Sequence, residues 1–164
     1  MRWLGAAARL CAMLGGALMG LVIAMTCASV VGRNTTGTAI TGDFELTGVA
    51  TGIAMALFMP WCQLQRGHII VDFFTAKASA KVVDALDRLG CLALAALMAV
   101  LAWRTSLGGL NAWGNHAASM LMGVPDWTVY AGMTPPLLLC ALIALAQALQ
   151  PRANQTPSVQ AEIA

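Results

Sequence analysis

Four long apolar segments, separated by shorter polar stretches, dominate the chain. The first two hold 22 and 19 residues without a charge, Leu10 to Val31 and Leu46 to Leu64. The other two cover about Leu89 to Leu107 and Trp127 to Leu149. Because a helix needs roughly 20 apolar residues to cross a hydrocarbon core of about 30 Å, this pattern predicts an all-α integral membrane protein with four transmembrane helices.

The segment between the second and third apolar runs has a different, amphipathic pattern. Over Thr75 to Arg88, charged residues recur at helical spacing while apolar residues take another face, which predicts a short interfacial helix between helices 2 and 3. We expect one four-helix domain over residues 1–150, with spans at about 10–31, 44–64, 88–108 and 127–149. The polar remainder, residues 151–164, is expected to be a disordered tail.

A cleaved signal peptide is the alternative interpretation of the first apolar run. Arg2 and Arg9 precede the run, and the small residues Cys27-Ala-Ser lie near its end. The run is longer than the 7 to 15 residues that are typical of a signal-peptide core. We therefore expect it to be retained as the first span.

Composition excludes several classes of protein. The chain is 59% hydrophobic and 10% charged, against about 25% charged in an average soluble domain. Its five cysteines have no paired spacing, so neither a disulfide framework nor a zinc site is predicted. The basic residues are dispersed and the net charge is only +2, which excludes a nucleic-acid footprint.

The distribution of basic residues predicts the orientation in the membrane. With four spans both termini lie on one side, and that side holds seven basic residues, Arg2, Arg9, Arg66, Lys77, Lys81, Arg88 and Arg152. The other side holds Arg33 and Arg104. By the positive-inside rule, both termini are expected in the cytoplasm.

The spans carry little that points to chemistry. His68 and His116 fall on opposite sides of the predicted membrane, so they cannot ligate one metal together. A proton-coupled exporter is expected to bury a carboxylate within a span, but Asp43 and Glu45 lie at the mouth of the second helix, where Arg33 could reach them. We interpret Arg33 and Glu45 as an interfacial ion pair that ties the first helical hairpin; a solute pathway is the alternative.

Small residues and prolines within the spans predict how the helices pack. Close approach is expected at the glycines of the first two spans, Gly15, Gly16, Gly20, Gly48 and Gly52. Pro60 and the Pro135-Pro136 pair are expected to kink the second and fourth spans. The prolines could mark a binding site, as broken helices do in transporters, but kinks that serve packing are the simpler interpretation.

Four motifs together resemble the pattern of one family of transport subunits. Gly32-Arg33 ends the first span, Asp43-Phe44-Glu45-Leu46 opens the second, and Arg66-Gly67-His68-Ile69-Ile70-Val71-Asp72 closes it. Val124-Pro125-Asp126-Trp127-Thr128-Val129-Tyr130, followed by Pro135, opens the fourth. This pattern, over about Leu10 to Leu149, resembles the small permease subunit (DctQ-like) of tripartite ATP-independent periplasmic (TRAP) transporters.

The resemblance implies a supporting role in a three-part importer of the bacterial inner membrane. A periplasmic solute-binding protein (DctP-like) would capture an organic acid anion such as a C4-dicarboxylate, and a large permease subunit (DctM-like) would carry it across by symport with sodium. This chain would be a non-enzymatic scaffold with no bound cofactor or metal. The structural motif residues carried over from the family are Arg33, Glu45, Gly67, His68, Asp72, Pro125 and Pro135.

Two other functions stay open from the sequence alone. A small homo-oligomeric transporter or exporter would move its substrate without a partner. A membrane-anchored redox subunit would need haem-ligating histidines or paired cysteines. Genes for a large permease and a secreted binding protein beside this one would favour the TRAP hypothesis over both.

Overall fold

The described part of the protein is a bundle of four helices. The computed structural model describes residues 2–37, 42–65 and 80–149. The helices are α1 (Arg2–Thr36), α2 (Asp43–Leu64), α3 (Ala80–Gly114) and α4 (Trp127–Leu149). All four are long and apolar enough to cross a membrane, and no strand occurs within these residues. The predicted all-α class and four spans are therefore confirmed.

Two of the helices are longer than the apolar runs that predicted them. α1 and α3 each contain 35 residues, which gives a length of about 50 Å at 1.5 Å per residue and exceeds the hydrocarbon thickness. Residues 80 to 88 are the first turns of α3. The rest of the predicted interfacial helix lies outside the described residues, so a separate helix there stays a prediction, as does the disordered tail.

The helices form a row in the order α1, α2, α4, α3. α1 packs on α2, α2 packs on α4, and α4 packs on α3, while α1 meets α4 over a small area. α3 makes no substantial contact with α1 or α2 within the described chain. α4 therefore has two neighbours and is the most buried helix, whereas α1 and α3 expose broad apolar faces at the edges of the row.

Side-chain contacts identify which helix termini lie together at each end of the bundle, along the direction of the helix axes. At one end, which we call the Glu45 end, Ser29 of α1 bonds Asp43 of α2, and Trp113 of α3 touches Trp127 of α4. At the opposite Gln147 end, Gly5 of α1 approaches Leu64 at the C-terminus of α2, and the C-termini of α2 and α4 are bonded to each other. Successive helices thus cross in alternating directions, and α2 and α4 run parallel.

Glycines bring neighbouring helices close together, but mostly not the ones expected. A Cβ atom placed on Gly15 would lie 3.2 Å from Leu57 Cβ of α2, whereas one on Gly16, Gly20, Gly48 or Gly52 would meet nothing within 4 Å. The prediction of close approach is confirmed at Gly15. The sequence named no partner for the other four glycines, and no described residue of this chain lies close to them, so close approach there stays a prediction. Only packing partners decide which glycines are used.

The close approaches that the sequence did not single out lie around α4. The ring of Tyr130 covers Gly108 and Gly109 of α3, where an added Cβ would come within 3.0 Å of Tyr130 atoms. On the other side of α4, Gly132 lies against Ile53 of α2, with a Cβ distance of 3.2 Å. These glycines let α4 fit between α2 and α3.

The prolines do not interrupt the helices. α2 continues through the buried Pro60 to Leu64, and α4 continues through Pro135 and Pro136. A proline inside a helix leaves a carbonyl one turn earlier without its usual donor. Near this point the Thr134 hydroxyl donates to the Tyr130 carbonyl at 2.7 Å, which adds a local bond to the same turn.

Candidate functional site

The buried polar side chains all take part in contacts between helices. Among the described residues, the buried polar side chains are Ser29, Gln63 and Gln147. The described residues also contain no group of three or more side chains that could ligate a metal ion together. Because a buried polar group is costly unless it is hydrogen-bonded, these residues show where the fold depends on specific partners.

The most buried polar contact joins α2 to α4 near their C-terminal ends. Gln63 and Gln147 are only 2% and 6% exposed. Gln63 Nε2 donates to Gln147 Oε1 at 2.8 Å, and Gln147 Nε2 donates to the main-chain carbonyls of Gln63 at 2.9 Å and Leu64 at 3.3 Å. We call this arrangement the glutamine clamp.

The glutamine clamp provides hydrogen-bond donors for the main-chain carbonyls at the C-terminus of α2. The last four carbonyls of any helix lack an intrahelical partner, and Gln63 and Leu64 are the last two residues of α2. In an apolar surrounding such a carbonyl is costly to leave unpaired. Gln147 donates to both, so it caps α2 and attaches it to α4 with one side chain.

At the Glu45 end, α1 and the start of α2 are joined through Asp43. The hydroxyl of Ser29, which is 2% exposed, donates to Asp43 Oδ2. Arg33, one turn further along α1, attracts the same carboxylate. Asp43 is the first residue of α2, so its negative charge also lies at the favourable end of the helix dipole.

Glu45 holds the loop that connects α3 to α4. Its Oε2 atom accepts hydrogen bonds from the main-chain N–H groups of Leu121 and Met122, both at 3.3 Å. Gly42 precedes α2 with φ of +83°, and Met122 lies so close that a Cβ on Gly42 would come within 2.5 Å of its Cγ. A side chain at position 42 would therefore be excluded by both backbone conformation and space.

Aromatic side chains lie at both ends of the bundle, the Glu45 end and the Gln147 end. Trp113 and Trp127 meet edge to face with centroids 4.9 Å apart, and together with Tyr130 they line an open groove of about 360 Å³ between α3 and α4. At the opposite end the Arg9 guanidinium lies 5.6 Å from the centroid of Trp61. Tryptophan and tyrosine prefer the boundary between lipid and water, so these rings indicate where the bundle meets the membrane surfaces.

The predicted motif residues are placed as follows. Arg33 and Glu45 both lie at the Glu45 end of the bundle. The hydrogen bonds described for Glu45 go to the α3–α4 loop, and Arg33 attracts the carboxylate of Asp43. A direct Arg33–Glu45 ion pair stays a prediction. Pro125 accepts hydrogen bonds from Thr128 at the start of α4. Pro135 lies exposed within α4.

The other three motif residues, Gly67, His68 and Asp72 of the inner loop, lie outside the described residues.

The sequence interpretation missed Ser29 and the glutamine clamp. The available signal for the clamp was two glutamines in the last turn of two spans that must run in the same direction.

Comparison with known proteins identifies the family. The family model "Tripartite ATP-independent periplasmic transporters, DctQ component" matches residues 21–154, well over half of the chain. Neither the curated proteins nor the solved structures provide a significant match. The match covers residues 21–36 of α1 and all of α2, α3 and α4. The chain is a multi-pass membrane protein and belongs to the DctQ family of transport components.

Proposed function

We propose that this chain is the small scaffold subunit of a sodium-coupled TRAP importer for organic acid anions such as C4-dicarboxylates. It would act in a bacterial inner membrane with a DctM-like large permease and a DctP-like periplasmic binding protein. The observation that carries the proposal is the family match over residues 21–154. The excess of basic residues on the terminal side supports cytoplasmic termini.

The use of polar groups in the bundle supports a scaffold rather than a carrier. Ser29, Gln63 and Gln147, the buried polar residues that the structure describes, all bond to another helix. The carboxylates of α2 lie in its first turn, where they bond α1 and the α3–α4 loop. A protein that itself couples solute to an ion is expected to keep ionisable groups within its spans.

The test is co-purification followed by transport. This chain, tagged, would be co-expressed with the large permease encoded beside it, extracted in detergent and reconstituted in liposomes. Uptake of labelled C4-dicarboxylates would be measured with and without a sodium gradient, the binding protein and each membrane subunit. We expect a stoichiometric complex of the two membrane subunits. Its uptake should require both subunits, the binding protein and the sodium gradient.

Two results would contradict the proposal in different ways. A chain that purifies without a partner and transports by itself would support the small homo-oligomeric transporter. A stable complex whose uptake persists without sodium would keep the scaffold role and remove the sodium coupling. Liposomes that contain only the large permease and the binding protein are the matched control for the need for this subunit.

A further inference from the structure

The loop between α3 and α4 presents an apolar tip at the Glu45 end. Residues 117–125 contain no charged side chain. Met120 is completely exposed, and Leu121 and Met122 are 64% and 47% exposed. We call residues 120–122 the loop tip. Three consecutive large apolar side chains on a surface loop need a partner that is itself apolar.

Most main-chain N–H groups of this loop, those of Ser119 and of residues 121–124, donate hydrogen bonds within the protein. Ser119 N–H donates to the Val124 carbonyl at 2.9 Å, and Gly123 N–H donates to the Ser119 carbonyl at 3.1 Å. Val124 N–H donates to the Ser119 hydroxyl at 3.2 Å. The N–H groups of Leu121 and Met122 donate to Glu45. A loop that faces water can leave such groups to the solvent, whereas a loop that enters an apolar phase cannot.

The position of the loop tip is fixed at the level where the helices begin. Met122 touches Gly42, the residue before α2, and the Glu45 carboxylate that receives the loop lies in the first turn of that helix. The Trp113–Trp127 contact lies where α3 ends and α4 starts, on either side of the same loop. Because tryptophan rings favour the headgroup region, we expect the loop tip near that depth.

We propose that the loop tip inserts into the bilayer at the Glu45 end, with its partner being phospholipid acyl chains just beneath the headgroups. The internal hydrogen bonds lower the cost of burying main-chain N–H groups, and the exposed Met and Leu side chains gain contact with lipid. Insertion would hold the α3–α4 hairpin at a fixed depth. Because the loop tip has no basic side chain and the carboxylate of Glu45 that holds it is negative, anionic lipid is not expected to strengthen its insertion.

The experiment places a fluorescent amino acid at position 120 by amber suppression, which leaves the five native cysteines in place. The same label at Asn115, an exposed polar residue in the turn after α3, is the matched control. Both proteins are reconstituted with and without the large permease, in phosphatidylcholine vesicles that either contain or lack phosphatidylglycerol. Lipid carrying a nitroxide at carbon 5 and aqueous iodide serve as quenchers.

We expect the label at 120 to emit at shorter wavelength than the label at 115 and to be quenched more by nitroxide lipid than by iodide. The order of the quenchers should reverse at 115, and phosphatidylglycerol should change neither result. Equal iodide quenching at both positions would place the loop tip in water and overturn the proposal. Shielding of position 120 from both quenchers, seen only with the large permease present, would assign the loop tip to a protein partner instead. Neither readout depends on sodium coupling or on the transported solute.

Discussion

Replacing Gln147 with alanine tests whether the glutamine clamp stabilises the bundle. The substitution deletes three hydrogen bonds to α2, of 2.8, 2.9 and 3.3 Å. Hydrogen bonds between membrane helices average about 0.6 kcal/mol and reach about 1.7 kcal/mol. Two short bonds and one long one therefore predict a loss of about 1–3 kcal/mol in the free energy of unfolding.

The assay is reversible unfolding in mixed dodecyl maltoside and SDS micelles, followed by the helical circular dichroism signal. Gln65→Ala is the matched control, because Gln65 is a glutamine at the same end of α2 whose side chain is exposed. We expect this control to unfold like the unsubstituted protein, since surface substitutions change stability by about 0.5 kcal/mol or less.

A double-mutant cycle with Gln63→Ala separates the parts of the clamp. The bond between the two side chains should appear as a coupling energy of about 0.6–1.7 kcal/mol. The bonds from Gln147 to main-chain carbonyls survive in Gln63→Ala, so the cost of Gln147→Ala should exceed the coupling energy. If Gln147→Ala unfolds at the same SDS fraction as the Gln65→Ala control, the clamp contributes nothing and the reasoning fails.

Two further substitutions test other contacts. Gly15→Ala should be less stable than Gly16→Ala by about 1 kcal/mol or more in the same unfolding assay. Alanine favours a helix at both positions, but its methyl group meets α2 atoms at 3.2–3.3 Å only at position 15. Equal stabilities of the two variants would disprove this close approach. Glu45→Ala should speed amide hydrogen exchange at Leu121 and Met122 and lower the yield of assembled complex, with Glu45→Gln in between because an amide oxygen still accepts. A Glu45→Ala complex that assembles normally and changes only in solute affinity would contradict the structural role of this carboxylate.

The sequence predicted the number of spans because each of them is a local property of the chain. A run of about 20 apolar residues specifies a membrane helix whatever surrounds it. The short connection between α1 and α2 also predicted that these two helices are neighbours, and Ser29, Asp43 and Gly15 mediate their contact. At the mouth of α2, the predicted Arg33–Glu45 ion pair stays a prediction, whereas the described hydrogen bonds of Glu45 go to the α3–α4 loop and Arg33 attracts Asp43.

The contacts of α4 could not be predicted in the same way, because they depend on which helices are neighbours. The bond between Gln63 and Gln147 joins residues 84 positions apart. The glycines show the same limit: Gly48 and Gly52 have the spacing of a packing motif but meet no described residue of this chain, whereas Gly132 meets Ile53 of α2. A pattern along one helix identifies a surface that can be approached closely, and only the arrangement of the helices decides whether it is used.

The arrangement of these contacts bears on how the subunit could move. The chain consists of two hairpins, α1–α2 and α3–α4, joined through the packing of α2 on α4. The glutamine clamp fastens this joint at one end, and the bonds from Glu45 to the α3–α4 loop fasten it at the other. Sliding or hinging one hairpin against the other would have to break both sets of bonds, and those of the glutamine clamp are buried away from replacement partners. A carrier must make such movements in every cycle, whereas a scaffold must resist them. The bonds at both ends of the joint therefore favour a subunit that moves as one body, as the proposed scaffold would.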